Sequence, residues 1–212
     1  MPEPDAPDGV LAPIVLASRS AHRLALLRSA GIDATAIPAT IDERAVEEAV
    51  GGGLDPADLA GLLAETKAVD VSPRAPGAVV IGADQTLELD GEVLHKVADM
   101  EAARRRLLLL SGRTHRLHSA VVLARDGRVL WRGTESAAIT FRDLTPGEVG
   151  RNLAMAGADV LGSVGAYQIE GVGIRLVERI EGHHSTIVGL PMLPLLAALR
   201  EHGAIEGFGH GG

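Results

Sequence analysis

Val79-Val80-Ile81-Gly82-Ala83-Asp84-Gln85-Thr86-Leu87-Glu88-Leu89-Asp90-Gly91 is the stretch on which the fold turns. Its opening β-branched run predicts a buried strand, brought to an end by the acid Asp84 and the amide Gln85. Residues 86–89 predict a short second strand, and Asp90-Gly91 suits a tight hairpin because both positions tolerate positive φ. Glu92-Val93-Leu94-His95 then returns the chain, so that Lys96 comes back toward Asp84. A carboxylate and an ammonium converging at a strand end can accept a proton from water and neutralise a developing anion. Taken by itself, this stretch reads more simply as a surface salt bridge beside a hairpin, because a strand ending in Asp is common.

Upstream, Ile14-Val15-Leu16-Ala17 predicts the first strand, and Ser18 or Ser20 can cap a helix over residues 21–30, ended by Gly31. A strand, a short polar loop and a helix N-terminus suit a phosphate. Arg19, His22 and Arg23 crowd that same end, where the helix dipole disfavours cations. Such a local conflict marks either a functional site or side chains turned to solvent. Residues 34–37 predict another strand. Asp42-Glu43 follows, able to ligate a hard cation through oxygen or simply to open a helix. Gly51-Gly52-Gly53 is a break, and Asp55-Pro56 starts a helix reaching about residue 72, with Lys67 on it.

Downstream, Asp99 caps a helix through Leu110, closed by Gly112, on which Arg104-Arg105-Arg106 reads as a solvated face. Residues 117–123 alternate as a strand, and Asp126-Gly127 turns it into a partner over 129–131, with a separate strand over 135–142. His115 and His118 would fall on opposite faces of a strand, and no third ligand has suitable spacing, which excludes zinc there. Thr145-Pro146 opens a helix that Gly157 ends. Residues 162–173 are glycine-rich, with Tyr167, Gln168 and Glu170 as their chemically interesting members. Residues 174–180 predict a strand, and Gly189-Leu190-Pro191 begins the last helix, to about His202.

Composition narrows the functional classes. The 212 residues suffice for one sizeable core or two lobes sharing a cleft. Aromatic residues are 2%, too few for base-stacking platforms, and the net charge of -8 opposes nonspecific duplex binding, so no nucleic-acid partner is expected. An anionic ligand must then meet a local basic cluster or a metal. Without cysteine there is neither disulfide nor thiolate site. Residues 1–13, acidic and Pro-rich, read as a disordered leader, residues 14–202 as one domain with two lobes, and residues 203–212 as a flexible tail. No run approaches the roughly 20 apolar residues of a membrane span. The expected location is cytoplasmic.

Six segments, Leu16-Ala-Ser-Arg-Ser-Ala-His-Arg23, Ile41-Asp-Glu43, Lys67-Ala68, Gly82-Ala-Asp-Gln85 to Lys96, Leu110-Ser-Gly-Arg-Thr-His115 and Val188-Gly-Leu-Pro191, together resemble the Maf-like nucleotide pyrophosphatase family. The resemblance runs from about Ile14 to Leu199. It implies an α/β fold of the Maf/ITPase-like kind, a mixed twisted sheet with flanking helices and two lobes around a nucleotide-binding cleft, often as a homodimer. It also implies hydrolysis of a nucleoside triphosphate to the monophosphate and pyrophosphate with a divalent cation, Mg²⁺ or Mn²⁺. By position, Asp84 resembles the proton acceptor that activates water, Glu43 and Asp84 the metal ligands, and Ser18, Arg23, Lys67 and Lys96 the lining of the triphosphate path.

Three positions bear on the base. The family branch acting on dTTP and UTP typically has Arg, Thr and Gln where this chain has His22, Gln85 and Glu170. Gln85 and Glu170 instead resemble the branch acting on 7-methyl-GTP, as do Glu170-Gly-Val-Gly-Ile174 and Glu178-Arg-Ile-Glu-Gly182. A carboxylate suits a base that carries a positive charge and N–H donors. The chain departs from that branch at His22, usually Trp, at Ala21, where the family has Pro, and at Ser185, usually Asn. A dTTP/UTP pyrophosphatase and a nucleotide-binding regulator of septum formation are the alternatives.

Overall fold

In the computed structural model the described residues are 11–51 and 53–206. Residues 1–10 of the expected leader, Gly52 of the glycine break and residues 207–212 of the expected tail lie outside them. The elements run β1 (Ile14–Leu16), α1 (Ala21–Ser29), β2 (Ala34–Ala36), α2 (Glu43–Val50), α3 (Pro56–Val71), β3 (Val79–Leu89), β4 (Glu92–Val93), α4 (Met100–Leu110), β5 (Thr114–Arg125), β6 (Arg128–Phe141), α5 (Pro146–Ala156), β7 (Val177–Glu181), α6 (His184–Val188) and α7 (Met192–Glu201). Capping follows the residues named above. Ser20, Asp42, Asp55, Asp99 and Thr145 each accept a backbone N–H at the start of their helix.

The described strands form one seven-stranded mixed sheet in the order β2-β1-β3-β5-β6-β7, with β4 on β3. Only β1 pairs in parallel, with β2 on one side and with Val79–Ile81 of β3 on the other. The expectation that the central strand ends at Asp84 is overturned, since β3 runs unbroken from Val79 to Leu89. The reason lies on its other edge, where β5 pairs with it from Val80 to Glu88 and holds the polar pair in extended conformation. On the first edge β1 stops opposite Ile81, and β4 begins only opposite Glu88. Asp84 therefore sits at a strand end after all, that of β1, in a gap along the free edge of β3. The Asp90-Gly91 hairpin forms as read, both residues at positive φ.

Two more sequence boundaries shift. The strands expected over 129–131 and 135–142 are one strand, β6, because Gly133 is carried through by its pairing with Val121. Residues 174–176 form part of a 3₁₀ turn, so β7 starts at Val177.

Period-two alternation on β3 sorts the side chains to the two faces. Gly82, Asp84 and Thr86 face α3. This helix crosses the sheet on Ala60, Ala64 and Ala68, packed against Ala120, Val122 and Ala124 of β5, small residues that let helix and sheet approach closely. Ile81, Ala83, Gln85 and Leu87 face the other way. On that side lie two apolar clusters, one with Leu16, Leu27, Ile81, Leu123 and Leu195, the other with Leu87, Leu107, Leu110, Phe141 and Tyr167. Between them runs a polar seam in which Gln85 Nε2 donates to Ser119 Oγ at 2.9 Å and to the carbonyls of Thr186 and Ile187 at 3.0 Å each. The chain stays packed beyond α7, where Ala204 is buried against the first cluster.

Candidate active site

A cleft of about 1040 Å³ opens over the gap in the sheet. Its floor is Asp84, 7% exposed, with Lys67 from α3 beside it, 8% exposed. The Lys67 ammonium donates to Asp84 Oδ1 and sits 2.7 Å from Glu43 Oε1, joining the two carboxylates. Oδ2 of Asp84 receives no hydrogen bond among the described residues. By residue chemistry alone, without the family resemblance, Lys67 would be a solvated lysine on its helix. Its burial follows from α3 lying flat on the small residues of β5, one turn from the point where Gly82 meets the helix. Burial opposes the charge of Glu43, but the Lys67 hydrogen bond, with the charges of Lys67, Lys96 and Arg23, outweighs it and holds this carboxyl below its usual range.

The cations at the start of α1 separate in role. Arg23 folds inward, its Nε donating to the carbonyl of Gly189 at 2.7 Å and its Nη1 to that of Ala83 at 2.7 Å. It thereby satisfies a β3 carbonyl that the missing strand partner leaves open. Burial pulls its pKa down, and the charges of Asp84 and Glu43 partly restore it. Ser18 Oγ accepts from the N–H of Ser20 at 3.1 Å and lines the cleft with Arg23. Arg19, one of the cations crowded at the start of α1, also lines it, as does Arg44, which carried no sequence signal beyond its charge. Lys96 stands exposed on the cleft lining, brought there by the hairpin, with no side-chain hydrogen bond among the described residues.

At the mouth, His22 of α1 and Glu170 of the glycine-rich segment face each other, His22 Nδ1 lying 3.3 Å from Glu170 Oε1. His22, Gln85 and Glu170, the positions that the family resemblance ties to the base, line one cleft, but in different states. Gln85 has its amide nitrogen committed to the α6 carbonyls, whereas His22 and Glu170 are partly exposed. Helix α6, five residues long, escaped the sequence reading because it is too short to show a helical period.

The wall bearing Glu170 is anchored through Tyr167. Its hydroxyl and His115 Nε2 share a hydrogen bond of 2.7 Å, and the phenol, the imidazole and Phe141 pack edge to face. His118 points to the opposite face, between Ser136 Oγ at 2.7 Å and Glu88 Oε2 at 3.1 Å, as the alternation requires. Burial, then the charge of Arg106, pulls the His115 pKa down from 6.5 to about 4. Between those values the native state binds fewer protons than the unfolded chain. Stability is therefore complete above about pH 6.5 and is lost as pH falls through the native value. The expected loss from this group is at most about 3 kcal/mol. Urea unfolding of the wild type and His115→Gln at pH 7 and pH 4.5 measures it. The variant should lose less on acidification, and parallel losses would mean another group is responsible.

As a site for a divalent cation, the donor set is two carboxylates, Glu43 and Asp84. No cluster of three or more His, Asp or Glu suited to a metal occurs among the described residues. Two carboxylates fit a hard divalent cation that takes its other oxygens from elsewhere, and do not make an all-protein cage. Among the described residues no helix is long and apolar enough to cross a membrane.

Residues 13–202 match a family model described as Maf-like protein. A 7-methyl-GTP pyrophosphatase of Mesorhizobium japonicum is 60% identical over 195 residues, spanning 92% of this chain and 98% of its own. One of Brucella abortus biovar 1 is 57% identical over 195 residues with the same two coverages. A nucleoside triphosphate pyrophosphatase of Rhodopseudomonas palustris is 49% identical over 189 residues, spanning 89% of this chain and 93% of its own.

Proposed function

We propose, since the chain belongs to the Maf-like protein family, that it hydrolyses 7-methyl-GTP to the nucleoside monophosphate and pyrophosphate. The observation that carries this is the pair of buried Asp84 and Lys67 at the floor of the cleft, with the exposed Glu43 carboxylate on the same ammonium and Glu170 at the mouth. In this reading water attacks the α-phosphorus, its proton passes to Asp84 Oδ2, and the bond from the α-phosphorus to the bridging oxygen breaks. Lys67 fixes the Asp84 carboxylate through Oδ1. Ser18, Arg23 and Lys96 line the path of the β- and γ-phosphates and offset the charge that develops on the leaving pyrophosphate. Arg23, with Nε and Nη1 bound to carbonyls, has Nη2 left for that role. A divalent cation held by Glu43 and Asp84 would polarise a phosphoryl oxygen when bound. A homodimer, implied by the family resemblance, is part of the proposal, as is the cytoplasmic location expected from the sequence.

Base selection falls to Glu170. A 7-methylguanine ring is cationic and would take the place of the His22 imidazole beside the carboxylate, whereas an uncharged base gains less there. Gln85 shapes the wall by holding α6. The test is pyrophosphate release with Mg²⁺ or Mn²⁺ from 7-methyl-GTP, GTP, UTP, dTTP and CTP. We expect a preference for 7-methyl-GTP, and Glu170→Gln should lower kcat/KM for it relative to UTP by about tenfold, the size of one partly solvated charge contact. A preference for UTP or dTTP in the wild type, or an unchanged ratio in the variant, sinks this reading of selectivity. Nucleotide binding with no turnover anywhere in the panel would favour the regulator.

A further inference from the structure

Arg106, on the helix face that reads as solvated, turns under α4 toward the back of the cleft. Its Nη1 donates to the carbonyl of Val164 at 2.6 Å and its Nη2 to that of His95 at 2.9 Å. These carbonyls belong to the two segments that flank the cleft beyond Asp84. His95 precedes Lys96, and Val164 begins the wall that continues through Tyr167 to Glu170. Among the described residues no carboxylate lies within ion-pair distance of this guanidinium, although burial works against its charge. Two charge-assisted bonds to carbonyls from different loops hold it instead, a task for a planar fork that a point charge performs poorly. Arg105, one residue earlier, pairs with Glu101 on the helix surface, so the inward turn is particular to Arg106.

We propose that Arg106 is a positioning residue that sets the spacing between the Lys96 loop and the Glu170 wall, and so the fit of the cleft to a nucleotide. The second clause rests on the reading that this cleft binds a nucleoside triphosphate. The first does not, and the two are separable by experiment. Hydrogen–deuterium exchange on nucleotide-free wild type, Arg106→Gln and Arg106→Lys reports the loops directly. Residues 93–97 and 162–168 should lose protection together in Arg106→Gln, with the strands of the sheet unchanged. Arg106→Lys, able to reach one carbonyl well, should fall between. In steady-state kinetics with 7-methyl-GTP, Arg106→Gln should raise KM by about tenfold and leave kcat within about twofold, because the group touches no reacting atom. Unchanged exchange in both segments overturns the proposal. So does protection lost across the whole sheet with a lower Tm, which would mark a general structural role, while loosened loops with KM unmoved overturn the second clause, the fit of the cleft to a nucleotide. If the wild type hydrolyses no nucleotide, the functional reading fails, and the exchange comparison still decides whether Arg106 holds the two loops.

Discussion

Asp84→Asn is expected to lower kcat for nucleotide hydrolysis by roughly 100- to 10,000-fold, the range over which a positioned proton acceptor acts. The change keeps the size and shape of the side chain, and the amide oxygen can still accept from Lys67, so the floor of the cleft should keep its packing. The backbone pairing of Asp84 with Ala120 does not involve the side chain. What is lost is the basic Oδ2. Nucleotide affinity should hold or rise, because the substitution removes one negative charge from a cleft that must accept a polyanion. Pyrophosphate release for kcat, calorimetric titration with 7-methyl-GTP for Kd, and thermal unfolding for integrity read the three quantities separately. Hydrolysis within tenfold of the wild type would remove Asp84 as the proton acceptor. Loss of binding together with turnover would place its role in holding the substrate.

The neighbourhood of Asp84 also shows why some of this fold was legible in the sequence and some was not. Caps and turns were legible because they are local: Ser20, Asp55-Pro56, Asp90-Gly91 and Thr145 act within a few residues of themselves. The end of β3 was misplaced because a polar pair inside a strand looks like a terminus unless the partner strand is known. β5 supplies that partner from 28 to 44 residues away. The continuity of β6 through Gly133 was hidden for the same reason. Arg106 was misread because the acceptors that turn it inward are carbonyls, which carry no sequence signal. The cleft residues themselves came from the six-segment resemblance. On residue chemistry alone Lys67 is a solvated lysine and Glu43 an acid that can simply open a helix, and only the tertiary approach of α2 and α3 to β3 brings them to Asp84.

That approach depends on Gly82, and Gly82→Ala is the substitution expected to damage the protein most. Gly82 lies on the α3 face of β3 at the point of closest contact between helix and sheet. A Cβ built there runs into the carbonyl oxygen of Ala64 and lies 2.7 Å from both the backbone nitrogen and the Cβ of Ala68. Backbone atoms of a helix cannot rotate away as a long side chain can, so α3 must shift as a unit or β3 must bend. β3 is held by β5 along most of its length, which leaves the helix to move. Overpacking of this kind costs about 3 kcal/mol, equivalent to a fall in Tm of roughly 10 °C for a chain of this size. The shift would also carry Lys67, three residues beyond Ala64, away from Asp84, so kcat should fall in whatever protein remains folded. Gly61→Ala on the same helix is the control. Its added Cβ meets nothing nearer than Thr134 Oγ1 at 4.0 Å, and replacing a helical glycine by alanine should leave stability unchanged or raise it by up to about 1 kcal/mol. If Gly82→Ala unfolds at the wild-type temperature, α3 and β3 do not meet as closely as described, and the placement of Lys67 beside Asp84 loses its structural basis.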